Sequence, residues 1–151
     1  MRKWHIVIPV RPKAVQSVRF SSGGCFVDRK VRQWKAEITK HILLARDGKP
    51  PSRLPIAITM CRYVFQLPKR AKKAVREFVA EGGFLPYLSA GDLTDNLSKG
   101  LIDCCKEILV EDDRQIVRMS NVEKRYGIED SIELELEEIP GLMSVDGKFI
   151  D

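Results

Sequence analysis

Most of the residues that could perform hydrolytic chemistry lie in one part of the chain. A stretch from 91 to 99 reads Gly-Asp-Leu-Thr-Asp-Asn-Leu-Ser-Lys, and the acidic run Glu111-Asp112-Asp113 follows it. Asp95 and Lys99 are four residues apart, the spacing that places two side chains on one face of a helix. If the strand after the acidic run lies beside this helix, we expect its first carboxylates to return to the level of Asp92 and Asp95.

Such a group of carboxylates with one ammonium suits phosphodiester hydrolysis. Carboxylate oxygens are hard ligands for Mg²⁺ or Mn²⁺, and these ions keep water molecules for the reaction. A bound ion lowers the pKa of a water molecule and neutralises charge on the leaving oxygen. A nearby lysine stabilises the charged transition state. The residue types therefore predict a metal-dependent hydrolytic centre.

The same residues also admit a purely structural interpretation. Asp92 could cap the helix, and Asp95 could favour its dipole. Asp95, Lys99 and Asp103 could form surface pairs along one helix face, and the acidic run could be a solvated turn. The spacing alone leaves both interpretations open.

Charge is distributed unevenly along the chain, although the net charge is only +5. Residues 1–80 hold 19 Lys and Arg against 4 Asp and Glu, a net +15. Residues 81–151 hold 7 against 17, a net −10. The basic half is typical of a protein that attracts a polyanion such as DNA. The acidic half could hold divalent cations, pair with the basic half across a dimer, or be solvated.

Length and composition restrict the class of protein. The 151 residues are enough for one domain, and no apolar run approaches the roughly 20 residues of a membrane span. The basic N-terminus lacks the long apolar stretch of a signal peptide, so we expect a cytoplasmic protein. The four cysteines form no C-x-x-C pair, which disfavours a zinc site and predicts reduced thiols.

Hydrophobic periodicity predicts an α+β fold in a single domain of residues 1–151, with about 142–151 as a tail. The expected order is strand, hairpin, helix, strand, helix, helix, hairpin, which gives a mixed β-sheet covered by helices. The predicted strands are 3–10, 17–20, 25–28, 55–67, 114–122 and 131–139, and the predicted helices are 29–46, 68–81 and 93–109. The helix at 68–81 is expected to begin with Pro68 in its first position. Trp4, Trp34 and Phe78 are expected in the core.

Two of these helices are expected to present basic faces to DNA. The candidate DNA-binding residues are Arg29, Lys30, Arg32, Lys35, Lys69, Arg70, Lys72, Lys73 and Arg76. The second of the two helices could equally be a covering helix with a solvated face.

The acidic segment resembles the signature of the RusA family of Holliday-junction resolvases. That signature is D-x-D-N-L-x-K-x-x-x-D, followed about ten residues later by D-D-x-Q-[IV]. The matching residues are Asp95, Asn96, Leu97, Lys99, Asp103, Asp112, Asp113, Gln115 and Ile116. The resemblance extends over most of the chain, although its specific part is about 25 residues. It implies Asp92, Asp95 and Asp113 as metal carboxylates, Lys99 as the catalytic lysine and Asp112 as a neighbouring metal candidate.

One departure from the family pattern concerns the first aspartate. The family usually has a single residue between its first two aspartates, whereas Leu93 and Thr94 both stand between Asp92 and Asp95. The additional residue could be absorbed at the helix start, or Asp92 could be only a cap.

The resemblance implies a Mg²⁺-dependent (or Mn²⁺-dependent) endodeoxyribonuclease of the RusA-like α+β fold. It would act as a homodimer on four-way junctions in DNA recombination and repair, and a phage or prophage origin would be typical. The paired symmetric nicks would leave 5′-phosphate and 3′-hydroxyl ends. One alternative is a catalytically impaired protein of the same fold that binds branched DNA. Another is a protein-interaction domain with no nucleic-acid partner, which would lack the steep salt dependence of a DNA binder.

Overall fold

An eleven-residue strand, β4 (Ile56–Gln66), lies at the centre of the main sheet. The computed structural model describes residues 1–15, 19–21, 24–26, 29–89, 91–141, 143 and 148–149; for 19–21, 24–26 and Asp95 it describes the backbone only. In the described ranges, no helix is long and apolar enough to cross a membrane.

The other elements follow one another in the predicted α+β order. The strands are β1 (Lys3–Ile8), β2 (Arg19–Ser21), β3 (Gly24–Phe26), β5 (Ile116–Met119), β6 (Val122–Gly127) and β7 (Ser131–Glu138). The helices are α1 (Arg29–Arg46), α2 (Lys73–Ala80) and α3 (Lys99–Cys105). A π-helical turn (Leu93–Ser98) leads into α3, and a 3₁₀ turn (Asp113–Gln115) leads into β5.

The main sheet is mixed, as the sequence predicts. Among the described residues, five strands form it: β1, β7 and β4 in that order, with β5 and β6 one after the other along the far edge of β4. β7 is antiparallel to both β1 and β4, whereas β5 and β6 run parallel to β4. β2 and β3 pair with each other as a separate hairpin.

The core lies between one face of this sheet and the helices. In β7 the residues Ile132, Leu134 and Leu136 are buried and alternate with three glutamates on the opposite face, which confirms the predicted alternation. From α1, Ile38 and Ile42 are fully buried in the same cluster. The sheet therefore packs on one side and meets solvent on the other.

The first half of the chain follows the predictions closely. β1 ends at Ile8, immediately before Pro9, and α1 has the predicted bounds of 29–46. β4 lies within the predicted 55–67. Trp4 is 8% exposed in the core, as expected, but Phe78 is 50% exposed, so its assignment to the core was wrong.

The second predicted helix starts later than expected. It spans Lys73–Ala80 and not 68–81, because residues after Pro68 form a separate turn. The backbone N–H of Ala71 donates to the Pro68 carbonyl at 3.0 Å. The guanidinium of Arg76 donates to the Pro68 and Lys69 carbonyls at 2.8 and 2.9 Å and so stabilises that turn. Pro68 therefore does not occupy the first helical position.

The third predicted helix ends early, at Cys105 instead of Leu109. Glu107 has a φ of 68°, in the left-handed region, which a continuing helix does not allow. The backbone beyond it pairs with Ser52, whose N–H donates to the Leu109 carbonyl at 2.8 Å. Pairing between Ser52 and the residues around Leu109 therefore replaces the last predicted turn of the helix.

The predicted closing hairpin is also wrong. β6 and β7 are consecutive and antiparallel in direction, but β4 lies between them and pairs with both. The strand predicted at 114–122 divides at Asn121, which has a φ of 53° and donates from its side-chain amide to the Thr59 carbonyl. β6 then continues beside β4, so only the two-stranded β2–β3 unit is a hairpin in the described part of the chain.

Three buried cysteines behave as apolar residues, as predicted. Cys61, Cys104 and Cys105 are unpaired thiols in the core. Burial raises the pKa of Cys61 to about 11 and raises the pKa of the other two thiols as well. The side chain of Cys25 lies outside the described residues.

A buried carboxylate at the end of β7 joins the start of β1 to the segment before β4. Glu138 accepts hydrogen bonds from the Arg2 backbone N–H, the Arg2 Nε and the Ser52 hydroxyl at 2.9, 3.1 and 2.8 Å. Burial alone would raise the pKa of Glu138, but these hydrogen bonds and the Arg2 charge lower it overall. The network therefore stabilises the ionised carboxylate in the folded state.

We expect Glu138→Gln to lower the free energy of unfolding by about 1–3 kcal/mol, because buried donors lose their acceptor. The lowered pKa means that the contribution of Glu138 is complete above its ordinary value of 4.5 and is lost as pH falls below it. Urea unfolding at pH 7 and pH 3.5 measures both effects. Glu137→Gln is the matched control, since the Glu137 side chain is 36% exposed and pairs with Lys3 at 3.8 Å. An equal loss in both variants would contradict the prediction.

Candidate active site

The candidate site begins with Asp92, which caps the helical segment. Its Oδ1 accepts hydrogen bonds from the Asn96 backbone N–H at 3.2 Å and from the Thr94 hydroxyl at 3.4 Å. In return, the Asn96 Oδ1 accepts from the Asp92 backbone N–H at 3.3 Å. This reciprocal arrangement resembles a capping box with one additional residue inside it. The cap interpretation of Asp92 is thus realised, and its role as a metal ligand stays a prediction.

The additional residue before Asp95 is accommodated by a π-helical turn. The Leu97 N–H donates to the Asp92 carbonyl five residues earlier, at 3.1 Å, and Ser98 Oγ donates to the Leu93 carbonyl. A π-turn takes one residue more than an α-turn, and such turns often mark functional sites. Asp95 lies within this turn, but its side chain is outside the described residues.

A buried tyrosine holds the end of the π-turn against the sheet. The Tyr63 hydroxyl, on β4, donates to Ser98 Oγ at 2.9 Å, and both residues are buried. Burial raises the pKa of Tyr63 far above its ordinary range, so the phenol remains a hydrogen-bond donor. Tyr63 and Ser98 are not among the residues predicted from the sequence, because a core tyrosine and a helical serine carry no distinctive spacing.

Lys99 is the first residue of α3 and is exposed to solvent. It therefore directly follows the π-turn that Asp92 caps, and the predicted shared face of Asp95 and Lys99 stays a prediction, because the Asp95 side chain lies outside the described residues. Asp103, one turn later, pairs with Lys35 of α1 at 3.4 Å. Lys35 thus joins the two helices through an ion pair.

The second acidic segment forms a different cap. Asp112 Oδ1 accepts from the Arg114 backbone N–H at 2.9 Å and its own N–H donates to Gln115 Oε1 at 2.8 Å, forming a capping box. The hydrogen bond from the Arg114 N–H, together with its guanidinium, lowers the pKa of Asp112. Asp113 is the first residue of the 3₁₀ turn and is exposed.

Within one chain, the two acidic segments lie at opposite ends of β4. Gln115 donates to the Ser52 and Leu54 carbonyls, and Ile116 lies opposite Ile56 at the beginning of β4. At the other end, Lys124 lies opposite Tyr63 and its Nζ donates to the Gly91 carbonyl at 2.6 Å.

From Ile56 to Tyr63 the strand spans about 23 Å. Within one chain, the carboxylates at the start of β5 therefore do not lie beside Asp92, contrary to the expectation from the sequence. The reason is that β5 begins near the C-terminal end of α3, whereas Asp92 precedes its N-terminal end. Among the side chains that the structure describes, no three Asp, Glu, His or Cys come together as a metal-binding group.

Basic residues of two segments lie near the helix start. The beginning of α1 is close to α3: a Cβ placed on Gly100 would be 3.1 Å from the Trp34 ring. Among the predicted DNA contacts, the exposed residues are Arg29, Lys30, Arg32, Lys69, Arg70, Lys72 and Lys73. Arg76 and Lys35, also predicted as DNA contacts, are partly buried and make the contacts described above.

Taken together, an α+β domain with an acidic helix start and nearby basic segments is suited to act on a nucleic-acid backbone. The profile of one protein family, the endodeoxyribonuclease RusA family, matches residues 8–137. The chain belongs to this family. A comparison with curated proteins found no match.

The Tyr63–Ser98 contact leads to a prediction about the π-turn. We expect Ser98→Ala to lower the unfolding free energy by about 1–3 kcal/mol, because it leaves the buried Tyr63 hydroxyl without its acceptor. Tyr63→Phe should cost about 0.5–1.5 kcal/mol, since the remaining serine hydroxyl still has the Leu93 carbonyl. Chemical denaturation of both variants and of the double variant measures this, and strictly additive losses would argue against a shared interaction.

A pair of variants tests whether Asp112 acts as a helix cap. Asparagine caps a helix as well as aspartate does, whereas alanine does not. We therefore expect Asp112→Asn to retain the thermal stability of the parent and Asp112→Ala to lower it, as differential scanning calorimetry would measure. Asp113→Ala, at the exposed neighbouring position, is the control and should leave stability unchanged; equal stability of all three variants would show that the cap is unimportant.

Proposed function

We propose that the protein is an endodeoxyribonuclease that resolves Holliday junctions by paired symmetric nicks. The observation that carries this proposal is the match to the RusA family over residues 8–137, which includes both acidic segments. Exposed basic residues on α1 and around Pro68 support a DNA-binding role. The product ends would be 5′-phosphate and 3′-hydroxyl.

In this proposal, each complete site combines residues from two copies of the chain. Asp113 and the helix start with Asp92, Asp95 and Lys99 lie at opposite ends of β4, too far apart to act on one phosphate. In a two-fold symmetric dimer, the Asp113 end of one protomer can face the helix start of the other. Two such composite sites would then match the two-fold symmetry of a four-way junction.

The proposed cofactor is Mg²⁺, with Mn²⁺ as a substitute. The donor chemistry fits, because Asp92, Asp95 and Asp113 offer the carboxylate oxygens that these ions prefer, with Asp112 as a neighbouring candidate. A bound ion would lower the pKa of a water molecule and neutralise charge on the phosphate. Lys99, exposed at the helix start, would stabilise the negative charge of the transition state.

The first test is strand cleavage of a synthetic four-way junction beside a linear duplex of the same sequence. With Mg²⁺ or Mn²⁺, we expect symmetric nicks in the junction, and we expect none with EDTA. Asp113→Asn should reduce the cleavage rate by at least about 100-fold while binding persists, because a transition-state contact is lost. Tight binding of the junction without cleavage under any metal would favour the impaired branched-DNA binder, and absence of any DNA binding would overturn the proposal.

A complementation experiment tests the composite site. Asp95→Asn and Asp113→Asn proteins, each expected to be inactive alone, are mixed under conditions that exchange subunits. If each site combines the helix start of one protomer with Asp113 of the other, every mixed dimer keeps one intact site. Nicking should then return to roughly a quarter of the wild-type rate, with single rather than paired cuts. If both residues act within one chain, no mixture recovers activity.

A further inference from the structure

A cleft lined by aromatic rings opens beside the acidic helix start. It consists of two adjoining cavities of about 490 and 380 Å³ that share Arg11 and Tyr87 in their walls. The first also contains Trp34 and Phe65, and the second contains Tyr126. We call this pair of cavities the aromatic cleft.

The aromatic rings are fixed in place by their own packing. Phe65 and Tyr87 stack in parallel with centroids 3.7 Å apart, and Tyr126 meets Tyr87 edge-on at 5.1 Å. The Trp34 Nε1 donates to the Arg11 carbonyl at 2.9 Å, which orients the indole. Trp34 is partly exposed, so a planar group that enters the cleft can contact it.

Cations lie at the rim of the aromatic cleft. The Arg11 guanidinium lies 5.3 Å from the Phe65 ring centroid, pairs with Asp130 at 3.1 Å, and is 55% exposed. Lys13 belongs to the wall of the first cavity and the exposed Lys69 to that of the second. An aromatic interior with a basic rim matches a nucleotide, whose base is planar and whose phosphate is anionic.

The cleft is contiguous with the proposed catalytic end of the protein. Leu97 contributes to the first cavity, and its N–H donates to the Asp92 carbonyl. The Val15 N–H donates to the Asn96 carbonyl at 3.1 Å, and a Cβ on Gly91 would be 3.1 Å from that of Ala14. The segment from Arg11 to Val15 thus connects the cleft directly to the π-turn.

We propose that the aromatic cleft receives one unstacked nucleotide of the DNA strand that the acidic helix start cuts. The base lies against Trp34, and Arg11, Lys13 and Lys69 hold the adjoining phosphates. Removing a base from a continuous duplex costs a few kcal/mol, and the cost is smaller where stacking is already interrupted. A branch point interrupts stacking, so the cleft favours junctions over linear duplex. This inference rests on the proposed function, because it assumes that the substrate is branched DNA.

The test compares the binding of four-way junctions in which one nucleotide near the branch point at a time is abasic. Asp113→Asn is present in every protein so that the DNA remains uncut. We expect one abasic position to weaken binding about 10-fold, in line with the loss of one base–aromatic stack. Trp34→Leu should bind intact and abasic junctions equally well, and Trp34→Phe, which preserves a ring and the fold, should retain part of the difference.

Two control variants remove the same kinds of side chain, a ring and a positive charge, outside the cleft. Phe84→Leu removes a ring that also lies beneath an arginine, Arg125 at 5.2 Å, and Lys49→Gln removes an exposed positive charge beyond the far end of α1. Both should keep the 10-fold discrimination, whereas Arg11→Gln and Lys13→Gln should weaken binding of intact and abasic junctions alike.

A second measurement does not depend on affinity. In a Trp4→Phe parent, Trp34 is the remaining tryptophan, and we expect its fluorescence to be quenched by an intact junction and not by the sensitive abasic one. Junction binding without discrimination at any abasic position, or discrimination that survives in Trp34→Leu, would overturn the role of the cleft. The proposed function would still stand if the protein without Asp113→Asn cleaves the intact junction. Absence of any junction binding would overturn both.

Discussion

The pairing of β4 on both of its edges is the constraint on which the rest of the structure depends. β7 occupies one edge in antiparallel pairing, and β5 and β6 follow one another along the other edge in parallel. Because parallel neighbours start at the same end, the turn with Asp113 must lie at the beginning of β4. The inward face of β4 then receives the π-turn that leads into α3, through contacts such as that of Tyr63 with Ser98.

This arrangement holds the acidic helix start between the sheet and the basic helix α1. Gly100 lets α3 approach both α1 and the segment that ends at Val15, since a Cβ there would be 3.1 Å from the Trp34 ring and 2.7 Å from the Val15 side chain. The π-turn adds one residue at the point where Asp92 caps the segment. A helix start beside basic segments keeps carboxylates and phosphate-binding groups close together, which an enzyme acting on DNA requires.

Local patterns in the sequence were sufficient for most elements. The bounds of α1, the end of β1 at Pro9 and the alternation in β7 all follow from hydrophobic periodicity and proline chemistry, which act over a few residues. The predictions failed where long-range contacts decide the outcome. The end of α3 depends on Ser52, more than 50 residues away, and the division between β5 and β6 depends on the Thr59 carbonyl. No pattern near Cys105 or Asn121 encodes those partners.

For the candidate site, the sequence by itself determined which residue types are present, their family signature and the unusual spacing before Asp95. These are properties of the covalent chain, so no folding is needed to find them. Only the tertiary structure decided that the two acidic segments lie at opposite ends of β4, that the additional residue forms a π-turn, and that rings from four separate segments line one cleft. The physical reason is that strand order and parallel direction are set by burial and hydrogen bonding between distant segments. The short-range periodicity of the sequence does not specify that choice.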